Sequence, residues 1–162
     1  AAWMKVFGVG LASVRVLAIG VIVTIAVLIY AAPRLSSASR RLAALVTIAW
    51  VMSSPDNVTV INHHWFTTAV SMAATVSLLF LVGGSPSRLV AFAAGLFAGT
   101  AAMITSTRGA LMCGAVLLMI LTAPTSRARA MSAVAGMAVV PAGMLLYVVA
   151  HGALAAAVDD VI

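Results

Sequence analysis

Long apolar runs separated by short polar ones fill the chain from end to end. About 20 apolar residues cross the hydrocarbon core of a bilayer as a helix, and most of the runs approach that length. They are apolar on every face instead of alternating, which argues against the strands of a membrane barrel. The pattern predicts spans over 14–32, 42–52, 65–83, 89–105, 109–123 and 130–151. The first stops at Pro33, which cannot continue the helix hydrogen bonding. The second is short for a crossing, so it either draws on 36–41 or is tilted or broken. The polar stretch 53–64 is the longest non-helical candidate, lying at the interface or folded back into a cavity. Trp65 and Phe66 anchor the third span at the membrane interface. Residues 83–87 form a tight turn. Gly95 and Gly99 make a GxxxG pair that lets helix backbones approach closely, read as packing only. Pro141 is expected to kink the last span. Residues 1–14, interrupted by Lys5, are the end of an earlier helix or an interfacial segment. The fold class this implies is all-α: a polytopic transmembrane helix bundle of about six spans, one domain over 1–162, with no internal repeat.

Composition sharpens this picture. Of 162 residues, 64% are hydrophobic and 7% charged, and the mean hydropathy is +1.22. Soluble domains carry roughly 25% charged residues, so a water-facing surface cannot be built from this chain. The net charge is +6, from nine Lys/Arg against three Asp/Glu. No basic stripe with interleaved aromatics exists, which leaves nucleic acid without a binding surface. The single Cys113 excludes a disulfide within one chain and a cysteine-based metal site. The chain opens on Ala without a signal-peptide pattern and stops at Asp159, Asp160, Val161 and Ile162. Both ends read as cuts through a longer protein. Arginines cluster in the loops 33–41, 84–88 and 124–129, which fall on one side if the spans alternate. The positive-inside rule makes that side cytoplasmic. The 53–64 stretch, the 106–108 connection and the C-terminus then face outward. Lys5 and Arg15 lie near the outer end of the first span and weaken the tally without reversing it.

Arg108 stands out because it lies between two apolar spans on the side where arginine is not favoured. One reading is a side chain that snorkels to the headgroups. The other is an arginine facing an internal cavity and holding an anion, since ionisable groups at membrane depth mark a function or a partner. Its guanidinium fork suits a bidentate phosphate contact. Gly109 is expected to leave space for a head group, and Ser106 and Thr107 to add hydroxyl donors or to cap the fifth helix. A helix N-terminus there would reinforce anion binding. His63 and His64 lie on the same outer face. As neighbours they point in different directions, and no set of acids or cysteines accompanies them, so no metal is expected. They read first as an interfacial pair and second as groups that orient a polar substrate. His151 is an interface residue. No paired carboxylates lie inside the membrane, and no nucleophile–base arrangement emerges. The nine Met are apolar filler.

The stretch Thr105-Ser106-Thr107-Arg108-Gly109-Ala110-Leu111, followed by an apolar helix, resembles the S-R-G-A signature of the O-antigen ligase and polymerase superfamily. Thr107 stands where that signature has Ser. The polar Asn62-His63-His64 segment opens a span, as the Asn-rich segment does in the family. Two spans joined by a short basic turn at Ser87-Arg88 lead to the motif, and one helix, a short loop and another helix follow it. The resemblance covers about 60–160. It implies a bacterial inner-membrane glycosyltransferase, metal-independent and without a cofactor. Such an enzyme moves a glycan from undecaprenyl pyrophosphate to lipid A-core or to another growing glycan. The matching arginine, Arg108, would help hold the donor pyrophosphate and stabilise charge as pyrophosphate leaves. The family's catalytic His and second Arg lie in or beside a large periplasmic loop that would begin where this chain stops. The expectation is therefore a donor-binding piece with no catalytic residue assigned. Its candidate substrate-binding set is Arg108, Ser106, Thr107, Gly109, His63 and His64. The expected partners are membrane lipids, the polyprenyl-linked donor and other membrane subunits. The competing expectation is a non-catalytic accessory subunit or sensor domain of a larger complex, in which Arg108 meets headgroups or another chain's carboxylate. A small transporter is a third, supported by Pro141 and the short second span alone.

Overall fold

The computed structural model describes residues 6, 8, 10–53, 63–83, 87–122 and 126–153. Among them the chain is all-helical. Six helices follow in order: α1 (Leu11–Leu35), α2 (Arg40–Met52), α3 (His63–Val82), α4 (Arg88–Ile104), α5 (Ser106–Thr122) and α6 (Arg127–Ala150). Helices α1, α3 and α6 are long and apolar enough to cross a membrane. Their 25, 20 and 24 residues extend about 30–37 Å at 1.5 Å per residue. Helices α4 and α5 have 17 residues each, about 26 Å, and α2 has 13, about 20 Å.

Boundaries depart from the sequence pattern in instructive places. Helix α1 passes through Pro33 and ends two residues later. A proline so near the C-terminus forfeits one internal hydrogen bond, and the helix can close behind it. The closure is a Schellman motif: the Ala38 amide donates to the Pro33 carbonyl (2.9 Å) and the Ser37 amide to the Arg34 carbonyl (3.3 Å). Ser37 must adopt φ 64° to do so. Helix α6 ends the same way, with Gly152 at φ 64° and the Ala153 amide on the Val148 carbonyl. Glycine enters that region at no steric cost, whereas serine has a Cβ to accommodate. Ser37→Gly should therefore stabilise the protein by up to about 1 kcal/mol, read as a higher Tm in detergent.

Helix α2 does draw on the basic loop, taking in Arg40 and Arg41. Helices α2, α4 and α6 each start behind a serine cap. The Leu42, Val90 and Arg129 amides donate to the hydroxyls of Ser39, Ser87 and Ser126. Arginine then follows each cap. A cation in the first turn opposes the helix dipole by a few tenths of a kcal/mol or more. Its presence at all three starts runs against helix stability and gathers arginine at one end of the bundle. Helix α6 is continuous through Pro141.

Packing fixes the order of the helices. Helix α4 is the hub, in closest contact with α6, then α3, then α5. Gly95 abuts the backbone at Ala133, Gly99 that at Met137, and Gly136 that at Phe92 and Leu96. Numbers rise together on both helices, so α4 and α6 run parallel, with α5 returning between them in the sequence. The GxxxG pair is thus one half of a backbone-to-backbone seam whose other half is Gly136. A single extended residue, Thr105, with φ −145° and ψ 105°, turns α4 into α5. At the same end of the bundle, the rings of Trp50 and Trp65 meet edge to face at 6.3 Å, joining the end of α2 to the start of α3.

The core is small-residue. Ala91, Ala94, Ala98 and Ala133 pack with Leu81 and Val116. Large apolar side chains lie outside instead: Leu111 is 72% exposed, Leu121 82% and Leu146 70%. A soluble domain would bury these. In lipid, where burial of leucine brings no gain, close backbone approach decides what goes inside. Hydroxyls along the helices are satisfied locally. Thr24, Thr47, Thr75, Thr100 and Thr122 each donate to the carbonyl four residues back, as apolar surroundings demand.

Candidate functional site

The connections above place the ends of the helices in two sets. Arg34, Arg40, Arg41, Arg88, Arg127 and Arg129 fall at one end of the bundle, where α1, α3 and α5 finish and α2, α4 and α6 begin. The other end gathers the start of α3, the α4–α5 turn and the C-terminus of α6. There lie His63, His64, Ser106, Thr107, Arg108 and His151, together with Arg15 at the start of α1.

One contact ties together two of the elements that carry these residues. Thr67, fully buried near the start of α3, shares a hydrogen bond with Thr105 across 2.6 Å. Thr67 lies one helical turn after the start of α3 at His63. Thr105 directly precedes Ser106. The histidine end of α3 and the first turn of α5 are therefore pinned side by side. Sequence reading missed Thr67. The available signal was a threonine within an apolar span, one turn after a polar opening.

Ser106, Thr107 and Arg108 form the first turn of α5 and are all exposed. The sequence pattern has them as a connection. In the structure the connection shrinks to Thr105, whose carbonyl accepts from the Gly109 amide at 2.9 Å. The early amides of α5 and the Arg108 guanidinium thus add positive character at the same point. Among the described residues Arg108 has no hydrogen-bond or ion-pair partner. The three acids of the chain, Asp56, Asp159 and Asp160, lie outside the described residues, as does Lys5.

Gly109 behaves otherwise than expected. It is buried, and a Cβ there would run into the backbone of Ala101 and Ala102 on α4. The space its missing side chain leaves is filled by α4, so it serves helix packing and offers no room for a head group. His64 is exposed at the start of α3, and its carbonyl accepts from the Thr68 hydroxyl at 2.8 Å. The two histidines are helical, not part of the non-helical stretch. Only the backbone of His63 is described, and 54–62 lie outside the described residues. His151 caps the end of α6, its ring against that of Tyr147 at 4.1 Å and its Nδ1 2.9 Å from the Tyr147 carbonyl. Trp50, Trp65 and Tyr147 at this end match the aromatic belt of a membrane–water interface.

The Thr67–Thr105 pair is testable on its own. Interhelical hydrogen bonds in membranes average about 0.6 kcal/mol and reach about 1.7. Thr67→Val should cost about 1 kcal/mol in an unfolding titration, with Thr105→Val adding little further once the first is made. Full additivity would show that the two hydroxyls do not interact.

Compared with family models, curated proteins and solved structures, the chain matches none of them.

Proposed function

We propose that this chain is the donor-binding membrane portion of a bacterial glycosyltransferase of the O-antigen ligase type. In this reading it is a multi-pass inner-membrane protein of about six spans, with α2 the shortest and the arginine-rich end in the cytoplasm. Arg108 and the first turn of α5 hold the pyrophosphate of an undecaprenyl-linked glycan at the outer leaflet. Ser106 and Thr107 donate to its oxygens, and the His63–His64 end of α3 lines the glycan side. The observation that carries the reading is the Thr67–Thr105 hydrogen bond. It joins two polar segments that are 38 residues apart in sequence, leaving the exposed Arg108 in the first turn of α5 at the same end of the bundle as the start of α3. A pyrophosphate there meets a guanidinium fork and unpaired amides together. The isoprenoid tail would lie along the apolar outer surface.

The chemistry assigned to the whole enzyme is attack of an acceptor hydroxyl on the anomeric carbon. The bond from that carbon to the pyrophosphate oxygen breaks, and undecaprenyl pyrophosphate leaves. Arg108 supplies electrostatic stabilisation as charge builds on the departing oxygen. The proton acceptor is not assigned to any residue of this chain.

The test is binding of undecaprenyl pyrophosphate to the purified chain in detergent, compared with undecaprenol. Preference for the pyrophosphate that falls on Arg108→Ala supports the reading. Equal binding of the two lipids, or a preference indifferent to residue 108, overturns it and leaves a non-catalytic membrane module.

A further inference from the structure

The α1–α2 hairpin encloses a second feature, at the opposite end of the bundle from Arg108. An open groove of about 360 Å³ runs between the two helices. Val23, Ala26 and Tyr30 of α1 form one wall, and Ala44, Thr47 and Ile48 of α2 the other. The Thr47 hydroxyl donates to the Ala43 carbonyl at 2.9 Å, so its polar atom is already engaged within α2.

Both walls end in arginine. Arg34 is one turn beyond Tyr30 on α1, and Arg40 is one turn before Ala44 on α2, so each continues the stripe that lines the groove. Arg34 is held over the turn by donation from Nη1 to the Ala38 carbonyl at 2.7 Å. That leaves most of its donors open. Arg40 and Arg41 are exposed and, among the described residues, have no hydrogen-bond or ion-pair partner. No carboxylate is available among the described residues to balance these three charges.

From this arrangement we infer that the α1–α2 groove is a binding site for an anionic phospholipid. One acyl chain lies against the Val23–Tyr30 and Ala44–Ile48 walls, and the phosphate sits at the mouth between Arg34, Arg40 and Arg41. Charge complementarity selects this occupant. Basic clusters at the end of an interhelical crevice attract anionic headgroups. A zwitterionic lipid brings an amine that offsets its phosphate, and an apolar partner helix brings no charge for the arginines. The inference is independent of the donor site and would survive its failure.

Native mass spectrometry of the purified chain in detergent, mixed with phosphatidylglycerol or phosphatidylcholine, tests it. The expected result is retention of phosphatidylglycerol over phosphatidylcholine by about tenfold or more. A triple Arg34→Gln, Arg40→Gln, Arg41→Gln variant should lose the preference. Ala26→Phe, which fills the groove, should lower phosphatidylglycerol retention while circular dichroism shows unchanged helix. Arg108→Ala should keep the preference. Glycerol phosphate, a headgroup without chains, should not compete. Four results would overturn the proposal: equal retention of the two lipids, a preference that survives the triple variant, full competition by glycerol phosphate, or a photocrosslinker at position 44 that captures a protein in native membranes.

Discussion

Gly95→Ala should destabilise the bundle by about 3 kcal/mol or more, at the upper end of overpacking costs. The added methyl would fall on the Ala133 carbonyl, with the Met137 amide nitrogen at 3.0 Å. Both are backbone of α6, so no flexible side chain can yield, and the two helices must separate. Separation also opens the Gly99 and Gly136 contacts on the same seam, so the loss spreads along both helices. Gly114→Ala is the control. Gly114 lies inside α5 with nothing within 4 Å of where its methyl would stand, and alanine there should be neutral or stabilising by up to about 1 kcal/mol. Thermal unfolding in detergent and abundance in the membrane read both variants. Equal melting of Gly95→Ala and Gly114→Ala would show that α4 and α6 do not pack through this seam.

Arg108→Ala should weaken binding of undecaprenyl pyrophosphate by about 10–100-fold. That is the range expected for loss of charge-assisted hydrogen bonds worth roughly 1.5–3 kcal/mol. Arg108→Lys should recover only part of it, because an ammonium offers a point charge where the fork makes two parallel contacts. Under the proposed function, glycan transfer in membranes should fall further, by about 10²–10³, if the same group stabilises the leaving pyrophosphate. The fold should be unaffected. Arg108 is exposed and touches no described partner, so removing it deletes charge without opening a cavity. A lysine variant with full binding would show that any cation suffices there. An alanine variant with full binding would remove Arg108 from the site.

The helical class was legible from the chain itself. Runs that are apolar on all faces admit helices and little else, because lipid offers the backbone no hydrogen bonds and each helix must satisfy its own. The clustering of arginine in three loops could also be read, whereas the serine caps at Ser39, Ser87 and Ser126 emerged only with the helix starts. The exceptional position of Arg108 follows from that tally alone. Helix ends were less legible. Whether Pro33 ends a helix or sits in its last turn depends on a Schellman closure made with Ser37 and Ala38, and nothing in the hydropathy marks it.

The partners of small residues belonged to the tertiary structure. Gly20, Gly95, Gly109, Gly114, Gly136 and Gly143 all interrupt apolar helices in the same way. Only packing separates Gly95, Gly109 and Gly136, each pressed on a neighbouring backbone, from Gly20, Gly114 and Gly143, which face open space. A missing side chain carries no directional signal, so its use depends on which helix lies opposite. For the same reason Gly109 looked like room for a ligand and proved to be a packing contact. Thr67 and Thr105 illustrate the remaining gap. Thr67 sits within α3 and Thr105 in the turn between α4 and α5, and nothing in the sequence around either one marks the other as its partner. The pairing that joins the histidine end of α3 to the first turn of α5 exists because α3 and α4 pack side by side, a choice made by shape complementarity and not by composition.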